Sequence, residues 1–138
     1  MSEIQTYKFY AGNRWHEPSS EKYFESEDPS IGKVWAKVPD CNEKDINLAV
    51  SSAKHAYYDG PYGKMHPAER GRTLTRIGDI IAKNAERIGQ IETKDNGKLP
   101  KNITPSLTSW QTESFYYYAG MCDKYEGRLI PSEVPNMH

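Results

Sequence analysis

The sequence predicts an α+β chain in which two short β-hairpins come first and three α-helices follow. Three observations carry that expectation. Up to Asp40 apolar and polar residues alternate with the period of a strand, between turn signals. From Asp40 onward apolar residues recur at helical spacing. Gly and Pro punctuate the boundaries between these stretches.

The first hairpin is read in "KFYAGNRWHE", where aromatics flank Gly12-Asn13. The second is "KYFESED", the turn "PSIG" and "KVWAKVPD", in which Val34, Ala36 and Val38 alternate with Trp35 and Lys37. Together they span residues 7 to 38. Asp40 or Asn42 can cap a first helix near 41–58, whose Ile46, Ala49, Val50, Ala53 and Tyr57 share one face. Gly60, Pro61 and Gly63 end it. Pro67 suits the first turn of a second helix over 67–94, with Leu74, Ile77, Ile81 and Ile88 in one stripe; Ile77, Ile81 and Ile88 are expected to be buried. Gly71, Gly78 and Gly89 lie within about 20° of one another on a neighbouring face. Each glycine costs a helix about 1 kcal/mol against alanine, so their alignment points to another element packed backbone-close. A third helix is expected over 105–125, with Leu107, Trp110, Tyr118, Met121 and Tyr125 at helical spacing. Phe115, Tyr116, Tyr117 and Tyr118 surround this helix with aromatics, which one neighbour cannot cover.

Composition narrows the function. The 138 residues suit one domain, and 18 basic against 19 acidic side chains leave a net charge of -1. That balance argues against nucleic acid and anionic membrane as partners. The two cysteines, Cys41 and Cys122, lack zinc or disulfide spacing, and no apolar run reaches membrane-spanning length, so a soluble protein of the reducing cytoplasm is expected. No glycine pattern of a phosphate-binding loop occurs. Cys41 sits at a helix start, where a dipole can stabilise a thiolate, yet a structural role is the better reading; Cys122 reads as core. The four histidines show no metal spacing, and no catalytic triad can be assembled from neighbouring residues. The residues alone name no reaction.

Five stretches in order do point to a family. "DPSIGKVWAKVPD" (28–40), "INLAVSSAKHAY", "PAERGRTLTRIGDII", "IETKDNGK" (91–98) and "YYYAGMCDKYEG" (116–127) resemble the N-terminal region of NAD(P)-dependent aldehyde dehydrogenases, and the likeness runs from about Phe9 to Ile130. The resemblance implies an oxidoreductase activity, oxidation of an aldehyde to a carboxylic acid with NAD or NADP as hydride acceptor. It also implies that residues 1–138 are the N-terminal part of the cofactor-binding domain of a several-fold longer subunit, within the α/β fold of that family. The family's nucleophilic Cys, general-base Glu, cofactor contacts and oligomerisation elements lie downstream, so no catalytic or cofactor-binding residue is assigned here, and the chain is expected to be inactive alone and not to hold NAD(P). Its expected partner is the remainder of the subunit, in an enzyme that is a homo-oligomer. The alternative is a free-standing interaction module that binds through its aromatic helix.

One further feature is implied by the resemblance. Asp95 stands at the end of a helix, where the partial negative charge makes a carboxylate unfavourable by roughly 0.3–1 kcal/mol. Several aldehyde dehydrogenases hold a potassium or sodium ion at the matching place. The ligands are oxygens of this Asp, of the two residues before an Asn-Pro pair and of one residue further on. Here Asp95, Ser26 and Glu27 match the first three, with Asp28 in place of the usual Asn, and the resemblance puts the fourth ligand downstream of these 138 residues. Gly97 in a left-handed cap would free the last carbonyls of the helix to help. Neutralisation of Asp95 by Lys94, Lys98 or Lys101 is the competing account.

Overall fold

A computed structural model describes residues 4–128. Its strands are β1 (Gln5–Thr6), β2 (Phe9–Ala11), β3 (Arg14–His16), β4 (Tyr23–Asp28) and β5 (Lys33–Pro39). The helices are α1 (Glu43–Tyr58), α2 (Pro61–Lys64), α3 (Pro67–Lys83), α4 (Ala85–Asn96), α5 (Pro100–Ser106) and α6 (Thr112–Met121), with a π turn, Leu107–Gln111, joining the last two.

Both expected hairpins are present. β2 and β3 pair antiparallel across Gly12 and Asn13, whose φ angles of 55° and 61° fit the left-handed positions of a hairpin turn. β4 and β5 pair antiparallel, with a turn set by Asp28, whose carboxylate accepts from the N–H of Ser30 at 2.9 Å. β1 adds to the other edge of β5 in parallel, giving the order β1-β5-β4. Asn42 caps α1, accepting from the N–H groups of Lys44 and Asp45, while the buried Asp45 returns a carboxylate to the Asn42 N–H at 3.1 Å. Both Asp45 oxygens also accept from the Ser19 N–H, which ties the loop before β4 to this helix start.

The second helix differs from the single run over 67–94. It breaks at Asn84, whose side-chain amide donates to the Ile80 carbonyl at 2.8 Å and whose φ and ψ of −106° and 10° leave the helical region. Asparagine competes for the backbone in this way, which is why it closes helices more readily than it extends them. Ile77 is 38% exposed and so is not a core residue, whereas Ile81 and Ile88 are half-buried against the cluster Ala85, Ile103 and Leu107. The buried face of α3 is instead centred on its glycines, and Ile77 stands about 100° away from Gly78.

Those two glycines, with Gly89 of α4, are where α5 and α6 arrive. A Cβ on Gly71 would lie 2.7 Å from the Ala119 carbonyl oxygen, one on Gly78 2.8 Å from a Tyr116 ring carbon, and one on Gly89 2.9 Å from Thr104 Oγ1. The Tyr116 hydroxyl donates to Asp79 at 2.7 Å across the same interface. The third helix also departs from 105–125: helical structure starts at Pro100, passes the π turn and ends at Met121. Pro105 offers no N–H to the ladder. After it the Thr112 hydroxyl donates five residues back to the Leu107 carbonyl at 2.5 Å, closing the wider turn. Residues 129–138, the end of the expected tail, lie outside the described residues.

Gly71→Ala should therefore lower stability by about 1–2 kcal/mol, the overpacking cost exceeding the gain in helix propensity. Gly120→Ala, which meets no atom within 4 Å, should leave stability equal or raise it by up to about 1 kcal/mol. Urea midpoints of the two variants check the contrast; equal effects would show that the contact does not restrict Gly71.

Candidate functional site

The sheet and α4 meet at the end of the β4–β5 hairpin. Gly97 adopts φ 74°, and its N–H closes onto the Thr93 carbonyl at 2.9 Å, so the left-handed cap expected after Asp95 is present. Pro29 sits directly on it: a Cβ at Gly97 would come 2.8 Å from Pro29 Cγ. This contact brings Ser26 to Asp95, although the two are far apart in sequence. The Ser26 hydroxyl donates to Asp95 Oδ1 at 2.8 Å, and the indole Nε1–H of Trp35 donates to Ser26 Oγ at 3.1 Å.

Of the residues assigned by resemblance, Ser26 and Asp95 are thus in contact. Glu27 follows Ser26 on the same strand, beyond a bulge in the ladder, with its side chain exposed. Among the described residues no lysine forms an ion pair with Asp95; Lys98 pairs with Glu92 at 3.0 Å instead. Asp28 has its carboxyl held below the usual range, first by hydrogen bonds from the hydroxyl and N–H of Ser30 and then by the charge of Lys94. Thr93 Oγ1, two residues before Asp95, is buried without a hydrogen-bond partner. Trp35 is the feature of this corner that escapes sequence reasoning, because it is placed by a bulge, which leaves no motif.

The cysteines are held differently. Cys41 lies just ahead of α1, where burial pushes its thiol up, and the carboxylates of Asp45 and Asp40 push it further. Those charges oppose any stabilisation of a thiolate by the helix start. Cys122 Sγ donates to the Tyr118 carbonyl at 3.3 Å and lies half-buried beneath Gly71. Among the described residues no group of three or more His, Cys, Asp or Glu is placed to hold a metal ion. No helix among them is long and apolar enough to cross a membrane.

The family model described as the aldehyde dehydrogenase family matches residues 15–138. The chain belongs to the aldehyde dehydrogenase family. It is 33% identical over 134 residues to a (Z)-2-((N-methylformamido)methylene)-5-hydroxybutyrolactone dehydrogenase of Acinetobacter baylyi, covering 97% of this chain and 27% of that one. To the mitochondrial aldehyde dehydrogenase of Rattus norvegicus it is 34% identical over 136 residues, covering 94% of this chain and 25% of the relative. The NAD+ complex of an aldehyde dehydrogenase from Bacillus cereus superposes with a TM-score of 0.86 at 30% identity, over 94% of this chain and 26% of that one. The relatives include proteins named as mitochondrial and as cytosolic. This aldehyde dehydrogenase chain spans about a quarter of the length of the relatives it matches.

The electrostatics of Cys41 give a direct expectation. With its thiol raised, less thiolate is present at pH 7 than in a free cysteine, so iodoacetamide should alkylate Cys41 more slowly than it does a model thiol. Peptide mapping after timed alkylation measures this, and a faster rate would show that the helix start outweighs the two carboxylates.

Proposed function

We propose that this chain is the N-terminal part of the cofactor-binding domain of an aldehyde dehydrogenase subunit. The whole subunit, on this reading, oxidises an aldehyde to a carboxylic acid. One observation carries it: family membership runs through nearly all of the chain, while the chain accounts for only about a quarter of its relatives. NAD or NADP supplies the hydride acceptor when bound. In such a reaction a thiolate adds to the aldehyde carbon, the thiohemiacetal so formed gives up its hydride to become a thioester, and water hydrolyses that thioester. The side chains described above take the scaffold part. They order a sheet corner against α4 and leave aromatic surface for the remainder of the subunit, including Trp110 at 73% and Tyr117 at 65% exposure. The assembled enzyme is a homo-oligomer with no nucleic-acid or membrane partner, and a reducing cytoplasm suits the two free thiols.

The same reading gives Asp95 a purpose. A potassium or sodium ion fits oxygens of Ser26, Glu27 and Asp95, since hard cations take carboxylate, hydroxyl and carbonyl oxygens in preference to sulfur or imidazole. Two observations support it: the Ser26 to Asp95 contact and the absence of a lysine partner for Asp95 among the described residues.

The purified chain should form no NADH or NADPH from any aldehyde, followed at the absorbance of the reduced nicotinamide. Turnover that disappears on Cys122→Ala would overturn the scaffold reading. Reading the transcript on both sides of the codons for residues 1–138 tests the family role directly: a continuing frame with a downstream cysteine motif is the expected result.

A further inference from the structure

The ladder between β4 and β5 slips by one residue beside Ser26. Ser26 faces Ala36 and Glu27 faces Val34, so Trp35 is the extra residue on β5 with no partner across the pair. A bulge of this kind re-aims one side chain relative to the regular alternation, and bulges are over-represented next to functional sites. Here it directs the indole at the Ser26 hydroxyl, 3.1 Å away. Tyr7 packs edge-on against the indole, with ring centroids 6.0 Å apart, and holds the ring from the β1 side.

The chemistry of the three groups fixes the direction of the chain of bonds. An indole N–H can only donate and an ionised carboxylate can only accept. The Ser26 hydroxyl must therefore accept from Trp35 and give its own proton to Asp95 Oδ1. A free serine hydroxyl rotates among several acceptors, whereas this one is held in a single orientation. Asp95 is in turn held by one oxygen, and no hydrogen bond engages Oδ2 among the described residues.

We propose that Trp35 is the positioning residue of the Asp95 oxygen cluster. By orienting Ser26 it fixes the Asp95 carboxylate with one oxygen free to face a hard monovalent cation. The inference rests on the cation reading given above, and adds to it a residue outside the ligand set. The bulge then has a purpose that a regular ladder could not serve, since regular alternation would turn position 35 to the other face.

Two measurements on the whole subunit that contains residues 1–138 test it. The first follows the Trp35 indole N–H by nitrogen-15 NMR, identified as the indole resonance that remains when the other tryptophans, the exposed Trp15 and Trp110 among them, are replaced by Phe. Ser26→Ala should shift this resonance and speed its solvent exchange by about tenfold, as loss of one hydrogen bond predicts. Asp95→Ala, which changes no atom bonded to the indole, should shift it as well. An indole resonance that ignores Asp95→Ala overturns the proposal, because Ser26 would then not link the two. This arm keeps Trp35 intact and so does not depend on the folding of Trp35→Phe.

The second compares thermal midpoints in potassium chloride and choline chloride at equal ionic strength. The wild type should gain a potassium-specific increment that Asp95→Ala lacks. Trp35→Phe should need about tenfold more potassium for half of it, the equivalent of one hydrogen bond. A wild-type increment with unchanged potassium dependence in Trp35→Phe overturns the positioning role alone. A wild type with no increment overturns the cation reading and the role of Trp35 within it.

Discussion

The arrangement depends most on the close approach that Gly71, Gly78 and Gly89 permit. At each, the space a methyl group would need is already held by α5 or α6, in one case by the Ala119 carbonyl oxygen itself. A carbonyl cannot rotate aside as a flexible side chain can, so at Gly71 the two helices are as close as their backbones allow. Glycine weakens a helix locally, by about 1 kcal/mol against alanine. Two on α3 and one on α4 are tolerable only because the packing against α5 and α6 offsets that loss. The same approach brings Tyr116 to Asp79, where the carboxylate raises the phenol's pKa as a hydrogen-bond acceptor.

A second, smaller constraint joins the sheet to this helical layer. Gly97 serves twice, adopting a left-handed cap and leaving room for Pro29. With Pro29 seated, the hairpin carries Ser26 onto Asp95 and the bulge carries Trp35 onto Ser26. The Ser26 hydroxyl gives the acid at this helix C-terminus a hydrogen-bond donor where the dipole alone would favour a lysine. Capping, turn chemistry and strand register converge on one corner, which is how a local rule can be broken without loss of the fold.

Much of this was legible from residue patterns. The hairpin at Gly12-Asn13, the cap at Asn42 and the glycine face each follow from a steric or hydrogen-bonding preference of the residues concerned. The break at Asn84 was not, because the apolar periodicity continues through it and asparagine costs a helix only tenths of a kcal/mol in propensity. The exposure of Ile77 has a related cause. A wheel ranks faces by hydrophobicity, but α6 docks where approach is closest, and that is the glycine face. Strand β1 has two residues and is defined by its neighbour β5, which no local pattern reveals. Ser26 and Asp95 were paired through family resemblance, while Trp35 could not be added without the register of the bulge.

The distribution of apolar surface bears on what the fold is for. Among the described residues the buried hydrophobics of the core are Ala11, Ala36, Ala85, Ile103 and Leu107, of which three are alanines. At about 25 cal/mol per Å2 of apolar area, alanines contribute little, and the larger side chains that would contribute more lie outside: Trp110, Tyr117 and Tyr118 on the α6 side, Ile46, Val50 and Tyr57 on α1. The expected apolar face of α1 is real as a pattern, but β2 shields only part of it. A chain that holds its helices together by glycine contacts while turning its largest apolar groups outward is built to be covered. Family relatives about four times as long share this fold, and on the proposed reading the outward aromatics are where their additional chain would bury apolar area.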